Sequence, residues 1–432
     1  MPPPFLFAPA QPRSHPAQDY PRPVAGQVTA RRITEIVESM APFLGTLIDP
    51  EFERVRADPE AADFMFGNPQ EVASRQYVDT LKRWLEPKDK NWFAYSLSNR
   101  PAQEAAAAGL SRELGIEFAP DDIVLTRGAH GALAAGLTVA LDPGDEVIYI
   151  SPPWFFYDAM IRAAGGVPVK VRVRPGDFDL DLDAIAAAIT PRTRMLLLNT
   201  PHNPTGRIFP SATLARLAEL LETASQENQR PIYILSDEAY SRILYEGSEM
   251  QTPATHYPRT FLVHTYSKTA LAPGQRVGFL ALPPGIPGRE ELRLAFMAAG
   301  AATGNMGPDA LMVYALPEIE EMLIDLPHLQ RKRDRVVDAL RELGYEVHIP
   351  EGTFYLLPKS PIPDDVAFAH QLLAHKVAVL PGQACDMPGY FRLCLTATDE
   401  MIDRALPAFA RVMEEAAAAM KASLSSSRPG IP

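Results

Sequence analysis

The sequence predicts an α/β protein: a three-layer large domain around a mostly parallel sheet, with a smaller α+β lobe drawn from both chain ends. Three observations carry this reading. Short apolar runs alternate with helix-length segments from about residue 122 to residue 282, the pattern of parallel strands buried on both faces. Past Arg289 the pattern turns helical to about Leu343, then mixes short strands with helices. Finally, 432 residues exceed what one compact core holds, so about two folding units are expected.

The elements follow in order. Residues 1–26 are Pro-rich and read as a flexible arm. Residues 27–75 should pack with the small lobe. They hold an amphipathic helix over about 28–47 and the apolar run Phe64-Met65-Phe66, stopped by Gly67-Asn68-Pro69. The large domain is expected over 76–315. Helices at 70–85 and 101–114, the second with proline in its first turn, flank an aromatic loop at 91–96. Strands are expected at 122–126, 146–150, 168–173, 194–198, 231–235, 260–263 and 277–282, with helices at 128–141, 154–164, 182–189 and 212–225. A small domain over 316–420 should carry strands at 345–349, 353–357, 377–380 and 390–395 and helices at 365–375 and 400–420. A disordered tail over 421–432 completes the chain.

Composition narrows the function. A net charge of −12 argues against a nucleic acid or an anionic membrane as the main partner, because both require a basic field. A local basic pocket for a small anion stays open. Cys385 and Cys394 have no metal-ligand spacing and form no framework, so no metal and a reducing compartment are expected. No apolar run approaches the ~18 residues of a membrane span. Prolines stand where a signal peptide would be basic and apolar, so the expected location is the cytoplasm.

In parallel α/β sheets ligands collect at the carboxyl ends of the strands, and each candidate group stands at such a place. Gly128-Ala129-His130 opens a helix after a strand, where backbone N–H groups favour a phosphate; an ordinary strand-to-helix turn looks the same. Trp154 could stack on a flat ring or simply fill a core. Asn203 sits in the rigid loop Asn203-Pro204-Thr205-Gly206, able to direct an amide hydrogen bond. Asp237 leaves a buried strand and needs a cation, unless it only caps a helix; Tyr240 follows it by three residues. Lys268 and Arg276 lie on the loop 264–278 between two strands, as amine nucleophile and anion clamp. Arg392 stands inside an apolar strand and wants a carboxylate, which an internal salt bridge could also supply. Together these ask for a phosphate, a flat ring with a protonatable nitrogen, a hydroxyl and an aldehyde: pyridoxal 5′-phosphate.

Over about residues 60–415 the chain resembles the class I/II aminotransferases, the aspartate aminotransferase-like family of fold-type I pyridoxal-phosphate enzymes. The motifs are Asn-Pro-Thr-Gly at 203–206, Asp-x-x-Tyr at 237–240 and Ser-Lys-x7-Arg-x-Gly at 267–278. The resemblance implies that Lys268 forms the internal aldimine and shuttles the proton. It implies that Asp237 pairs with the ring nitrogen, that Asn203 and Tyr240 bind the ring hydroxyl, and that Trp154 stacks on the ring. Gly128, Ala129, His130, Thr265 and Arg276 would hold the phosphate. Tyr95 would reach the phosphate of a neighbouring subunit, making a homodimer. Arg392 would bind the substrate α-carboxylate, with Gly67 lining that site. The implied reaction moves an amino group from an amino acid to a 2-oxo acid, expected to be 2-oxoglutarate, by a ping-pong scheme. A lyase, decarboxylase or amino-acid oxidase would begin from the same residues. A non-catalytic sensor of the cofactor is a further alternative, disfavoured by the acidic charge and the absence of a preceding DNA-binding module. The segment 96–101 departs from the family in lacking a glycine, and Thr265 replaces a usual serine. Arg100, in that segment, could read a side-chain carboxylate in the neighbouring site or lie on the surface near a dimer seam.

Overall fold

The apolar runs become the middle of the molecule. In the computed structural model, which describes residues 28–95 and 99–426, seven strands form one sheet. They are β1 (Ile123–Thr126), β2 (Glu146–Ser151), β3 (Val167–Arg172), β4 (Thr193–Asn199), β5 (Tyr233–Asp237), β6 (Thr260–Thr265) and β7 (Gly278–Ala281). Their order is β1-β7-β6-β5-β4-β2-β3. Only β7 runs against its neighbours; the other pairings are parallel. Every residue of β2, β6 and β7 is buried, which is why these strands read as unbroken apolar runs. The helix Gly128–Ala140 buries Leu133 and Leu137 in one apolar cluster on the sheet, and the helix Ser211–Glu227 buries Leu214, Leu217 and Leu221 in another. The α/β three-layer architecture expected from the sequence is therefore present.

Register brings the chemistry to one edge. Asn199 pairs with Asp237, and Asp237 with Val263. Thr265 pairs with Gly278, and Gly278 with Thr126. The ends of β4, β5, β6 and β1 thus stand in a row, with the start of β7 between the last two. Asp122, wholly buried where β1 begins, takes hydrogen bonds from Arg289 Nε at 2.6 Å and Arg293 Nη2 at 2.7 Å. That clamp ties the helix Arg289–Thr303 to the sheet.

A third apolar cluster joins both chain ends. Phe43, Phe52 and Phe64 pack with Phe368, Phe391 and Phe409. The short strand Ala62–Asp63 pairs with Val377–Ala378, and Phe391–Cys394 lies between Tyr355–Leu356 and Leu380–Pro381.

Several boundaries differ from expectation. The helix expected over 28–47 is two, Arg31–Ser39 and Ala41–Leu47, with Pro42 starting the second. The helix expected from residue 70 begins at Arg75, where Ser74 caps it through the Tyr77 N–H. Residues 345–349 form no strand; Lys359 N–H reaches Glu346 O at 2.9 Å outside any ladder. The last helix runs Asp399–Ser426, into the stretch read as a tail; residues 427–432 and the arm at 1–26 lie outside the described residues. No helix among the described residues is long and apolar enough to cross a membrane.

Candidate active site

At the row of strand ends lies a cavity of about 290 Å³. Gly67, Ala129, His130, Trp154, Asn203, Asp237, Tyr240, Thr265, Lys268, Arg276 and Arg392 all line it. Eleven of the thirteen candidates from the sequence thus meet in one place. Gly128 lies just behind, and Tyr95 stands apart.

One end of the cavity is built for an anion. The helix Gly128–Ala140 points its N-terminus there, and Arg276 lies alongside. Arg276 donates only to carbonyls, Pro273 O at 2.9 Å and Arg127 O at 3.3 Å, and no carboxylate among the described residues pairs with it. Thr265 donates to the Ser267 hydroxyl at 2.9 Å, so two hydroxyls stand together at this end. Close approach explains the glycines. Gly128 has φ +71°, and a Cβ there would sit 2.8 Å from Arg276 Nη2. A Cβ on Gly278 would lie 2.4 Å from His264 O.

The middle holds a buried carboxylate. Asp237 accepts from the Tyr157 hydroxyl at 2.6 Å and from the Ala239 N–H at 3.2 Å. Burial raises its pKa, and these bonds only partly offset that. A cation opposite Asp237 would remove the cost. Tyr240 is also buried, 3.4 Å from the Tyr355 hydroxyl, and burial holds its phenol well above the usual range.

Lys268 lies three residues past β6. Its amine makes no hydrogen bond or ion pair among the described residues, and stands 5.6 Å from the Tyr240 ring centre and 5.7 Å from that of Phe354. Burial, with the charges of Arg392 and Arg276, brings its pKa down to about 8 against the pull of Cys394 and Asp237. A lysine so placed offers a free amine at mildly alkaline pH.

The far end holds Arg392, 2% exposed, with Nη2 on Met65 O at 3.0 Å and Nη1 on Asn203 Oδ1 at 3.2 Å. Its Nε has no partner, and no carboxylate among the described residues pairs with it. The internal salt bridge allowed by the sequence is not formed. Gly67 lets the backbone pass close, since a Cβ there would meet Tyr355 Oη at 2.6 Å.

Tyr95 is fully exposed and lines no part of this chain's cavity. Arg100 is held on the surface by Glu104 at 2.9 Å and Asp121 at 2.8 Å, while Ser96, Leu97 and Ser98 lie outside the described residues. Sequence reasoning missed three participants. Tyr157 follows Trp154 by three residues, about one helical turn, which was the available signal. Asn199 ends β4, donates to Asp237 O at 2.6 Å and accepts the Asn203 N–H at 2.7 Å, bridging two loops. Tyr355 comes from the distant strand Tyr355–Leu356 and had no local signal.

Known proteins resemble the chain as a whole. Residues 79–409 match the family Aminotransferase class I and II. The aspartate/prephenate aminotransferase of Thermus thermophilus is 31% identical over 398 residues, covering 89% of this chain and 100% of that one. The aspartate aminotransferase of Rhizobium meliloti is 31% identical over 70% of this chain and 77% of its own length. Among solved structures, the Thermus thermophilus aspartate aminotransferase with maleate superposes with a TM-score of 0.76 at 31% identity, over 89% of this chain and all of that one. An aminotransferase from Eubacterium rectale gives 0.79 at 28% identity, over 90% and 96%. The chain belongs to the class I and II aminotransferases and is an enzyme of that family.

Proposed function

We propose that this enzyme binds pyridoxal 5′-phosphate in the cavity and uses it to move an amino group from an amino acid to a 2-oxo acid in two half-reactions. The amine of Lys268, which has no hydrogen-bond or ion-pair partner among the described residues and lines the cavity with Asp237, Arg276 and Arg392, is the observation that carries this reading. The donor set fits the cofactor. A helix N-terminus, two hydroxyls and an arginine without a carboxylate suit the phosphate. Asp237 suits a protonated ring nitrogen, and Asn203 with Tyr240 suits the ring hydroxyl. Trp154 suits stacking on the ring, and Lys268 would meet the aldehyde.

When bound, the cofactor supplies an electron sink that acidifies the substrate Cα–H. The chain's residues do the rest. Arg392 holds the substrate carboxylate by a two-pronged contact and so fixes which bond at Cα faces the amine. Lys268 Nζ accepts the Cα proton and returns it. Asp237 would keep the ring nitrogen protonated, and the Tyr157 hydroxyl holds that carboxylate in orientation. The enzyme would work as a cytoplasmic homodimer, with a large domain over 76–315, a small one over 316–420 and Tyr95 reaching the neighbouring phosphate site.

The test is direct. Purified holoprotein mixed with amino donors should lose its visible absorbance, and 2-oxo acids, 2-oxoglutarate among them, should restore it. Release of ammonia, peroxide or CO2 in place of that exchange would overturn the reading in favour of a lyase, oxidase or decarboxylase.

A further inference from the structure

Resting on the proposed transamination, the cations of the cavity say what kind of side chain the substrate carries. Four basic residues line it: Lys268, Arg276, Arg392 and His130. The first three are committed to the amine chemistry, the phosphate and the α-carboxylate. His130 does not replace a fixed cation, because burial and the charge of Arg276 push its pKa down and leave the imidazole neutral at neutral pH. Among the described residues of this chain, none that line the cavity therefore offers a second positive charge for a side-chain carboxylate.

Much of the remaining lining is aromatic. Phe66 and Phe155 line the cavity beside Trp154. They are braced from behind by Phe43, whose ring stacks on Phe155 at 3.8 Å and 10° and meets Phe66 edge-on at 6.1 Å. Phe156 adds a second contact to Phe155 at 4.8 Å. Arg56 stands against Phe66, 4.8 Å from the ring centre, but is held by Asp63 at 2.9 Å and lines no part of the cavity. A carboxylate moved from water onto this wall loses hydration without gaining a cation. An apolar side chain there gains burial and ring contact.

We propose that the enzyme's amino donor carries an uncharged, apolar side chain, aliphatic or aromatic, read by the Phe66–Phe155 wall that Phe43 supports. The acceptor's side chain occupies the same space, so the matching apolar 2-oxo acids should outrun 2-oxoglutarate.

The experiment is a panel of single half-reactions on the full-length holoprotein, with leucine, phenylalanine, alanine, aspartate and glutamate as donors. The expected result is kcat/KM for leucine or phenylalanine at least about tenfold above that for aspartate and glutamate, the scale set by apolar pocket contacts. Aspartate or glutamate at or above leucine and phenylalanine would place a distal cation on a partner subunit and overturn the inference, with transamination intact. No exchange with any donor would remove the proposed function, and this inference with it. Phe155→Ala supplies a second readout: the leucine-to-alanine ratio of kcat/KM should fall about tenfold. An unchanged ratio would show that the wall does not read the side chain.

Discussion

Lys268 and Arg392 both hold positive charge that no carboxylate of the described chain neutralises, yet they respond differently to burial. A lysine can shed its proton, whereas an arginine stays charged and must find an anion. For Lys268 the burial-driven fall to about 8 leaves much of the amine unprotonated at mildly alkaline pH. The rate at which apoprotein takes up pyridoxal phosphate should rise with pH and level off above about 8, well below the ~10.4 of an ordinary lysine. Stopped-flow absorbance across pH checks this, and a rate still climbing through pH 10 would contradict it. For Arg392, the bonds to Met65 O and Asn203 Oδ1 fix the fork, leaving its remaining donors for a carboxylate. Arg392→Lys keeps the charge but loses the fork, so the amino-acid KM should rise about 10–100-fold, the worth of one charged hydrogen bond. Steady-state kinetics decide. Tyr157→Phe removes the 2.6 Å bond to Asp237 and should lower kcat by about tenfold without a matching rise in KM.

At the scale of elements, the site exists because strand register lines up residues far apart in sequence. Asn199, Asp237 and Val263 stand side by side across β4, β5 and β6, and Thr126, Gly278 and Thr265 across β1, β7 and β6. The strands were legible because a strand buried on both faces leaves an unbroken apolar run, as in Leu196-Leu197-Leu198. The loop motifs were legible because Pro, Gly and Asn mark strand ends. What stayed hidden depends on distant partners. The hydroxyl of Tyr157 matters through Asp237, 80 residues away, and the place of Tyr355 is set by its pairing with Cys394. The cap at Ser74 likewise shortens a helix that its apolar pattern alone extends to residue 70. Gly278 tests the register argument. A methyl group there meets His264 O and the backbone of Gly128 together, and neither is a flexible side-chain end. Gly278→Ala should cost about 1–3 kcal/mol of stability and weaken cofactor retention, because the strain lies under Gly128 and Thr265. Urea unfolding and the dissociation constant for pyridoxal phosphate measure the two effects.

At the scale of the whole molecule, the buried titratable groups shape stability against pH, and two of them pull in opposite directions. His202 is held neutral by burial, with its pKa lowered to about 4. Its folded value lies below the unfolded ~6.5, so its contribution is complete above that value and is lost as pH falls toward 4. Glu238, next to Asp237, is the reverse case. Its Oε1 accepts from the Ser236 hydroxyl at 2.7 Å and the Thr252 hydroxyl at 2.6 Å, but burial still drives its pKa up to about 8. The folded protein therefore keeps a proton that the unfolded chain releases above about 4.3. That contribution is present below the unfolded value and is lost as pH rises to about 8, by up to about 1.4 kcal/mol per pH unit. Between about pH 4.3 and pH 6.5 the two slopes oppose each other. Above about 6.5 only the Glu238 slope of the pair remains. Glu238→Gln retains a carbonyl oxygen for both hydroxyls and carries no titrating proton, so it should remove that slope. Urea unfolding at about pH 6.5 and about pH 8 should show the parent losing roughly 2 kcal/mol between the two and the variant losing much less. Equal losses in both proteins would mean that Glu238 is already ionised in the fold.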